Sequence, residues 1–335
     1  MVKIGVIGAG GWALGLAILL NNNGHQVTVW SKLPEEIETI RTTGENSKCL
    51  PGVKIPKEIE LTVDLRKAVS ENELLVMAVA SPYVRSTAAE IAALKIPNLK
   101  IVDVAKGVEE STLMTMTHVI NDEIPDAQVA VLSGPSHAEE VSRGIPTTCV
   151  VGAKSLEYAE YLQNIFKSDV FRVYISSDVL GIEIGGSLKN VIALAAGIAD
   201  GLGCGDNTRA ALITRGIHEI AKLGTAMGGK FETFYGLSGI GDLIVTCASM
   251  HSRNRRAGIL IGQGKTMDEA MAEVHMVVEG VYSAKAAAAL SEKYKVDMPI
   301  VNNVRKILFE NMNASDALKD LMHREPKREN PEIAW

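Results

Sequence analysis

Cysteine is scarce in this sequence, and its few positions are widely separated. The 335 residues include four cysteines, Cys49, Cys149, Cys204 and Cys247, and no C-x-x-C pair. Neither a zinc site nor a disulfide framework is indicated, so we predict no metal and expect a reducing cytoplasm as the location. Acidic residues outnumber basic ones, because 34 Lys and Arg against 40 Asp and Glu give a net charge of −6. This balance argues against a broad nucleic-acid surface, although a small cationic pocket remains compatible with it.

Hydrophobic runs long enough for a membrane are lacking as well. The uncharged stretch Ile4–Leu20 resembles the core of a signal peptide, but it is dense in glycine and ends in a turn at Asn21–Gly24. A cleavage site of small residues would be expected instead, so secretion is the weaker alternative. The run Val191–Ala199 is far shorter than the roughly 20 residues of a membrane span. We therefore expect no membrane insertion.

Short apolar runs alternate with helical patterns through the first half of the chain. Strands are predicted at Lys3–Ile7, Gln26–Ser31, Glu73–Ala80, Lys100–Ala105, Gln128–Ser133, Thr147–Gly152 and Val170–Tyr174. Helices are predicted at Gly11–Asn22, Pro34–Thr43 and Pro82–Ala93. This alternation is typical of βαβ units, and near-continuously apolar strands are typical of a parallel sheet covered on both faces. We predict an α/β domain with a doubly wound, Rossmann-type sheet.

The pattern changes after about Ser177, where strand signals almost disappear. Stretches rich in Ala, Leu, Ile and Gly then recur at helical spacing, as in Leu188–Gly201, Arg209–Leu223 and Ser283–Lys293. The sequence therefore predicts a Rossmann-type domain over residues 1–180 and an all-α C-terminal domain over residues 181–335. The polar segment His323–Trp335 is expected to fray.

A dinucleotide-binding fingerprint follows the first predicted strand. The run from Gly8 to Ala13 reads G-x-G-x-x-A. Gly8 allows the tight turn, Gly10 lets a pyrophosphate approach the backbone, and Ala13 keeps the following helix close to the sheet. Free N–H groups at the start of that helix favour phosphate. The alternative is a glycine-rich turn that binds nothing.

The end of the second strand predicts which dinucleotide is used. NAD-binding folds place an acid there to accept the ribose 2′-OH, whereas this sequence has Ser31 and Lys32. A hydroxyl and a cation suit a 2′-phosphate, so we predict NADP or NAD as cofactor, with NADPH preferred. The alternative is that Lys32 is an ordinary exposed lysine.

Two lysines occur where a substrate would be met. Lys106 follows directly on a predicted strand, and ligands of open α/β sheets bind at the carboxyl ends of strands. Lys189 lies on a helix face of small residues, where burial would lower its pKa and suit it to proton transfer. The alternatives are a solvated loop lysine for Lys106 and a lysine that extends to solvent for Lys189.

A third grouping combines an isolated acid with phosphate-binding residue types. Asp242 is flanked by glycine and apolar residues, so it needs a partner, and a lysine would serve. Ser252, Arg253 and Asn254 offer hydroxyl, guanidinium and amide donors, a set that suits a phosphate. The alternative is a solvated basic helix start, which is the interpretation favoured for Arg255 and Arg256.

Taken together, these motifs resemble those of the bacterial NAD(P)-dependent sn-glycerol-3-phosphate dehydrogenases. The resemblance runs from the fingerprint into the C-terminal helices. Its most specific pieces are Gly185–Asn190, Ala199–Asn207, Gly239–Cys247, Ser252–Arg256 and Val278–Gly280. The resemblance implies interconversion of dihydroxyacetone phosphate and sn-glycerol 3-phosphate for phospholipid synthesis, by a homodimer.

The resemblance also implies roles for individual residues. Proton transfer is assigned to Lys189, with Asp242 tuning it and Lys106 and Asn190 stabilising the oxyanion. Substrate contacts are expected at Lys106, Gly134, Ser136, Lys189, Asp242, Ser252, Arg253 and Asn254. The resemblance adds cofactor contacts at Gly11, Trp12, Ala138, Arg253, Val278 and Glu279. Together with the residues argued from the sequence itself, the expected cofactor contacts also include Gly8, Gly10, Ser31, Lys32 and Lys106. Ser31 and Lys32 depart from the family pattern, in which Arg or His is frequent.

Two other functions remain open from the sequence. A β-hydroxyacid dehydrogenase of the same broad superfamily would share the fingerprint and a catalytic lysine, but it would not need the Ser252–Asn254 set. A dinucleotide sensor without catalytic activity would bind the cofactor without turnover, and it leaves Lys189 and Asp242 unexplained.

Overall fold

The computed structural model describes residues 1–326 and 328–329. Lys327 and residues 330–335, which belong to the segment expected to fray, lie outside the described residues.

A single mixed sheet organises the first half of the chain. Its strands are β1 Lys3–Ile7, β2 Gln26–Trp30, β3 Glu60–Thr62, β4 Leu74–Met77, β5 Lys100–Asp103, β6 Gln128–Ser133, β7 Thr147–Gly152 and β8 Phe171–Ser176. Their spatial order is β3-β2-β1-β4-β5-β6-β7-β8. The chain leaves β1 on one side for β2 and returns on the other for β4, which creates the crevice where Rossmann-type folds bind ligands.

Helices connect the strands in the first half of the chain and follow one another without strands in the described part of the second half. Those of the first half are α1 Gly11–Asn22, α2 Pro34–Thr43, α3 Leu65–Ser70, α4 Val84–Ala92, α5 Met116–Glu123, α6 Ala138–Val141 and α7 Leu156–Phe166, with a 3₁₀ turn at Ser81–Tyr83. Those of the second half are α8 Val179–Gly201, α9 Asp206–Ala226, α10 Phe231–Phe234, α11 Asp242–Ala248, α12 Arg253–Gly262, α13 Met267–Val274, α14 Glu279–Tyr294, α15 Pro299–Phe309 and α16 Ala314–Met322, with a π-helical turn at Leu237–Gly241. Among the described residues, no strand follows Ser176.

The sheet is covered on both faces, as its apolar strands predict. One face packs against α1 and α7, and the other against α3, α4 and α5. Residues Ile4–Ile7 of β1 are fully enclosed, so this strand has no polar face. The predicted Rossmann-type domain followed by a helical domain is confirmed.

The structure differs from the predicted parallel sheet at its far edge. Strands β1 to β6 pair in parallel, but β7 runs antiparallel to β6, and β8 then pairs in parallel with β7. The β6–β7 connection contains only the four-residue α6, too little for the crossover helix that a parallel return requires. Strand β3 was not predicted, because its three residues are too few for a period to show.

The long helix α8 forms the centre of the second half. Every residue from Gly181 to Ala199 is buried. By length and composition α8 could cross a membrane, but most of it is enclosed by the protein's own helices, as a core helix of a soluble protein would be. Its first turn also touches the sheet, because Ile182 packs against Val131 and Val150. The division at residues 180 and 181 stays a prediction.

Helix α12 contacts α8 backbone to backbone through four glycines. A Cβ on Gly258 would lie 2.2 Å from the carbonyl oxygen of Leu194, and one on Gly197 would lie 2.1 Å from that of Arg255. Gly201 and Gly262 meet the opposite helix in the same way. Both helices thus present glycine at a spacing of four residues, the close-approach pattern also used between helices in membranes. This contact fixes where α12 begins relative to α8.

Candidate active site

The site forms where the carboxyl ends of the central strands meet α8 and α11. Lys106 lies three residues beyond β5, and Gly134 directly follows β6. Lys189 lies in the middle of α8, and Asp242 opens α11 just after the π-helical turn. These four residues are brought together from four separate parts of the sequence.

Two lysines share one buried carboxylate. Nζ of Lys189 donates to Oδ1 of Asp242 at 2.5 Å, and Nζ of Lys106 donates to Oδ2 at 2.7 Å. Lys189 and Asp242 are only 5% and 1% exposed. Lys189 also donates to Oγ1 of Thr246 at 2.7 Å, and Lys106 donates to the carbonyl of Gly134 at 3.3 Å. The predicted need of Asp242 for a cationic partner is therefore met twice.

With both lysines protonated, the cluster carries two positive charges and one negative charge. This excess positive charge, together with burial, determines the pKa values of the two lysines. Burial lowers the pKa of Lys189 to about 8, against the opposing charge of Asp242 and with the help of Lys106. Burial acts on Lys106 in the same direction, but the charge and hydrogen bond of Asp242 outweigh it and raise the Lys106 pKa. Lys189 is thus the group that gains or loses a proton near neutral pH, while Lys106 stays an ammonium.

A chain of amides links α8 to α12 and α14. Asn190 donates through Nδ2 to Oε2 of Glu279 at 3.2 Å, and its Oδ1 accepts from Nδ2 of Asn254 at 3.0 Å. Oδ1 of Asn254 in turn accepts the backbone N–H of Gly280 at 2.8 Å. Val278, fully buried, is the residue that precedes α14. Three predicted site residues from distant segments are therefore in direct contact.

The start of α12 is only partly as predicted. Ser252 caps this helix, accepting the N–H of Arg255 at 3.2 Å, and Arg253 donates to the carbonyl of Val277 at 3.0 Å. The interpretation of Arg255 as solvated is wrong. Its Nε and Nη2 both lie 2.8 Å from Oδ2 of Asp200, and the residue is buried. Arg256 likewise has a buried Nε, which has no hydrogen-bond partner among the described residues.

The fingerprint loop has the shape that a pyrophosphate needs. Gly8 has φ of +128°, and a Cβ there would lie 2.8 Å from the carbonyl of Ala78. A Cβ on Gly10 would meet nothing within 4 Å, so this approach is open. Gly10 precedes α1 without a side-chain cap, and Nε1 of Trp12 is buried with no partner among the described residues. These unsatisfied donors fit a dinucleotide phosphate.

The loop between β6 and α6 connects the two halves of the site. Ser136 donates to the carbonyl of Gly134 at 3.0 Å, the same oxygen that Lys106 approaches. Ala138 opens α6, and its Cβ lies 3.8 Å from the position of a Cβ on Gly11. The substrate-side loop therefore touches the cofactor-side helix directly.

The end of β2 differs from the free hydroxyl and cation that the sequence suggested. Ser31 is buried, and its hydroxyl donates to Oε2 of Glu36 at 2.6 Å. Lys32 pairs with Glu90 at 2.6 Å, and both of these side chains are exposed. The prediction that NADPH is preferred stays a prediction.

Some polar neighbours were not found from the sequence. Thr246 lies four residues after Asp242 on the same helix face, so a helical reading of that run would have placed it beside Asp242. Its contact with Lys189 depends on the pairing of Lys189 with Asp242. Glu183 is buried one and a half turns before Lys189 and accepts hydrogen bonds from Thr115 and Thr117. No local signal reveals those contacts, because they join segments more than 60 residues apart. Among the described residues, no group of three His, Cys, Asp or Glu side chains is arranged to hold a metal.

Comparison with known proteins identifies the family. Models of the N-terminal and C-terminal parts of NAD-dependent glycerol-3-phosphate dehydrogenase match residues 3–159 and 178–319. The chain belongs to this family. The resemblance inferred from the motifs is therefore confirmed.

Individual relatives cover essentially the whole chain. Glycerol-3-phosphate dehydrogenase [NAD(P)+] of Fusobacterium nucleatum is 59% identical over 98% of this chain and 99% of its own. That of Agathobacter rectalis is 57% identical over 100% of both. The crystal structure of glycerol-3-phosphate dehydrogenase from Coxiella burnetii is 33% identical, with a TM-score of 0.93 over 96% of this chain and 99% of that one. The fold is thus shared over 96% of this chain.

Proposed function

We propose that this protein interconverts dihydroxyacetone phosphate and sn-glycerol 3-phosphate with NAD or NADP as cofactor. Family membership supports the reaction. The single observation that supports it most within the molecule is the Lys106–Asp242–Lys189 cluster beside a Rossmann-type cradle.

The cofactor supplies the hydride, and this chain's residues hold it in place. Gly8, Gly10, Gly11 and the N-terminus of α1 would receive the pyrophosphate, and Trp12 would offer its unpaired Nε1 donor. Ala138, Lys106, Arg253, Val278 and Glu279 are the further contacts that we propose.

Lys189 handles the proton of the substrate oxygen. As an ammonium it would donate to the alkoxide that develops at C2 during reduction, and as a free amine it would take that proton back during oxidation. A group with a pKa of about 8 is suited to both directions near neutral pH. Asp242 and Thr246 hold Nζ of Lys189 by two hydrogen bonds, which aims its third N–H bond away from them.

Lys106 keeps a fixed positive charge near the same oxygen. Asp242 stabilises this charge through a hydrogen bond of 2.7 Å, so Lys106 acts electrostatically rather than as a proton donor. Asn190 was predicted to act beside it, but both polar atoms of its side chain are engaged by Glu279 and Asn254. We propose that Asn190 orients those two residues and contacts the substrate through the second N–H of its Nδ2.

The phosphate of the substrate would be bound at the start of α12. Ser252 caps the N-terminus of α12, Arg253 and Asn254 follow it in the chain, and Nδ2 of Asn254 has one N–H besides the one that it donates to Asn190. Arg253 is held by a neutral carbonyl rather than a carboxylate, so its charge remains available for an anion. Gly134 and Ser136 would complete the substrate contacts from the β6–α6 loop.

The proposed function also includes the location, the assembly and the metabolic role of the protein. We propose a cytoplasmic homodimer that is not inserted in a membrane and that supplies the glycerophosphate backbone of phospholipids. A small-molecule substrate and the absence of nucleic acid from its partners agree with the net charge of −6.

Oxidation of NADH and NADPH in the presence of dihydroxyacetone phosphate tests the proposal directly. A panel of β-keto acids at equal concentration separates it from the superfamily alternative, and cofactor binding without turnover would indicate a sensor. Turnover of a β-keto acid but not of dihydroxyacetone phosphate would refute the proposed substrate.

A further inference from the structure

A carboxylate lies at the end of β2, although it comes from the following helix and not from the strand or the two residues after it. Ser31 is 4% exposed, and its hydroxyl donates to Oε2 of Glu36 at 2.6 Å. Oγ of Ser31 also accepts the N–H of Leu33 at 3.1 Å, which orients the hydroxyl proton towards the carboxylate. Glu36, from the first turn of α2, is thereby held at the strand end.

The carboxylate of Glu36 lies at the same edge of the sheet as the phosphate cradle, the edge formed by the carboxyl ends of β1 and β2. The fingerprint turn contacts the end of β2, because the N–H of Gly8 donates to the carbonyl of Trp30 at 2.8 Å. The carbonyl oxygen of Cys49 lies 2.6 Å from the position of a Cβ on Gly11. Burial, and then the charge of Glu36, raises the pKa of the Cys49 thiol, so Glu36 acts on a residue that borders the cradle.

The neighbouring cation is held much more loosely. Lys32 pairs with Glu90 at 2.6 Å, but their side chains are 67% and 41% exposed. Exposed pairs of this kind contribute little free energy, so Lys32 can leave Glu90 for another anion at small cost. The strand end therefore combines one anchored acid with one mobile cation.

We propose that Glu36 discriminates between NAD and NADP at the adenosine ribose, with Lys32 as its mobile counterpart. Dinucleotides bound in this fold place that ribose between the glycine turn and the end of the second strand. A carboxylate there accepts a hydrogen bond from a free 2′-OH and repels a 2′-phosphate, whereas Lys32 attracts the phosphate. The inference rests on the proposed use of NAD or NADP and explains how one site accepts both.

The test compares Glu36→Gln with Glu35→Gln. Glu35 is the exposed neighbour in the same helical turn, so the control removes the same charge from the surface. The ratio of kcat/KM for NADPH to that for NADH is measured with dihydroxyacetone phosphate. Glu36→Gln should raise this ratio roughly tenfold, the worth of one hydrogen bond to a charged group. Glu35→Gln should leave the ratio within about twofold, the effect of a remote surface charge.

Two further variants test the arrangement itself. Lys32→Met should lower the ratio, because it removes the cation without touching the acid. Ser31→Ala keeps the charge of Glu36 and removes its anchor, so it should raise the ratio above the wild-type value, but less than Glu36→Gln does. Should Glu36→Gln fold poorly, Ser31→Ala still tests the proposal.

Binding measurements separate this inference from the proposed reaction. The dissociation constants of NADH and NADPH are measured by cofactor fluorescence without substrate. A shift of the binding ratio in Glu36→Gln with no turnover of dihydroxyacetone phosphate in any variant would refute the proposed substrate and uphold the role of Glu36. Equal ratios in Glu36→Gln and Glu35→Gln, in both binding and turnover, would overturn the inference.

Discussion

Replacing Gly258 by alanine tests whether the α8–α12 contact positions the substrate-binding end of α12. The new Cβ would lie 2.2 Å from the carbonyl oxygen of Leu194 and 2.9 Å from Cα of Gly197. Both obstacles are backbone atoms, so no side-chain rotation relieves them. To restore an ordinary contact of about 3.4 Å, the helices must separate by roughly 1 Å.

The expected cost has two parts. Overpacking a well-filled contact costs about 1–3 kcal/mol, of which the better helix propensity of alanine returns up to about 1 kcal/mol. We expect a net loss of stability of about 1–2 kcal/mol and a lower Tm. A misplacement of about 1 Å also reduces catalysis by about 100-fold, because Asn254 and its neighbours move away from Asn190.

The assay combines calorimetric Tm with kcat/KM for dihydroxyacetone phosphate. Gly205→Ala is the control, since Gly205 has ordinary φ and open space around it. It should change kcat/KM little and lower Tm less than Gly258→Ala does, because its only cost is the weaker capping of α9 by alanine at the N-cap. If Gly258→Ala matched the control in Tm and activity, the glycine contact would not determine the position of α12, and this reasoning would be refuted.

Three other variants and one change of pH address the chemistry. Lys189→Met should lower turnover by about 10²–10⁴-fold while leaving cofactor binding intact. More than a tenth of wild-type activity in the folded variant would show that Lys189 does not transfer the proton. Because burial lowers the Lys189 pKa to about 8 and reduction needs its ammonium, kcat/KM for reduction should fall as pH rises through about 8, and that for oxidation should rise over the same range. A flat profile between pH 7 and 9 would contradict this assignment. Arg253→Ala should lower kcat/KM for dihydroxyacetone phosphate about 100-fold but that for unphosphorylated dihydroxyacetone far less, and equal losses would move the phosphate site elsewhere. Arg253→Lys should recover only part of the loss, because an ammonium cannot reproduce the two-pronged contact.

Local pattern was enough to predict much of this protein. The first strand, the glycine turn and α1 are adjacent in the chain, so their order alone predicts a dinucleotide cradle. The interpretation of Lys189 also came from one helix, because a cation among small residues implies burial and a lowered pKa. Neither prediction needs a contact between distant segments.

What only the tertiary structure decided are the contacts across long sequence separations. The pairing of Asp242 with both lysines joins residues 53 and 136 positions apart, and no periodicity encodes it. The burial of Arg255 depends on Asp200 in another helix, and the direction of β7 depends on how its short connection packs. The acid at the end of β2 is the clearest case. Strand β2 does not end in an acidic residue, and Glu36 reaches the end of β2 only because the first turn of α2 folds back onto Ser31. Sequence patterns report local geometry and burial, whereas the partners of buried polar groups are set by which distant segments the fold brings within hydrogen-bonding distance.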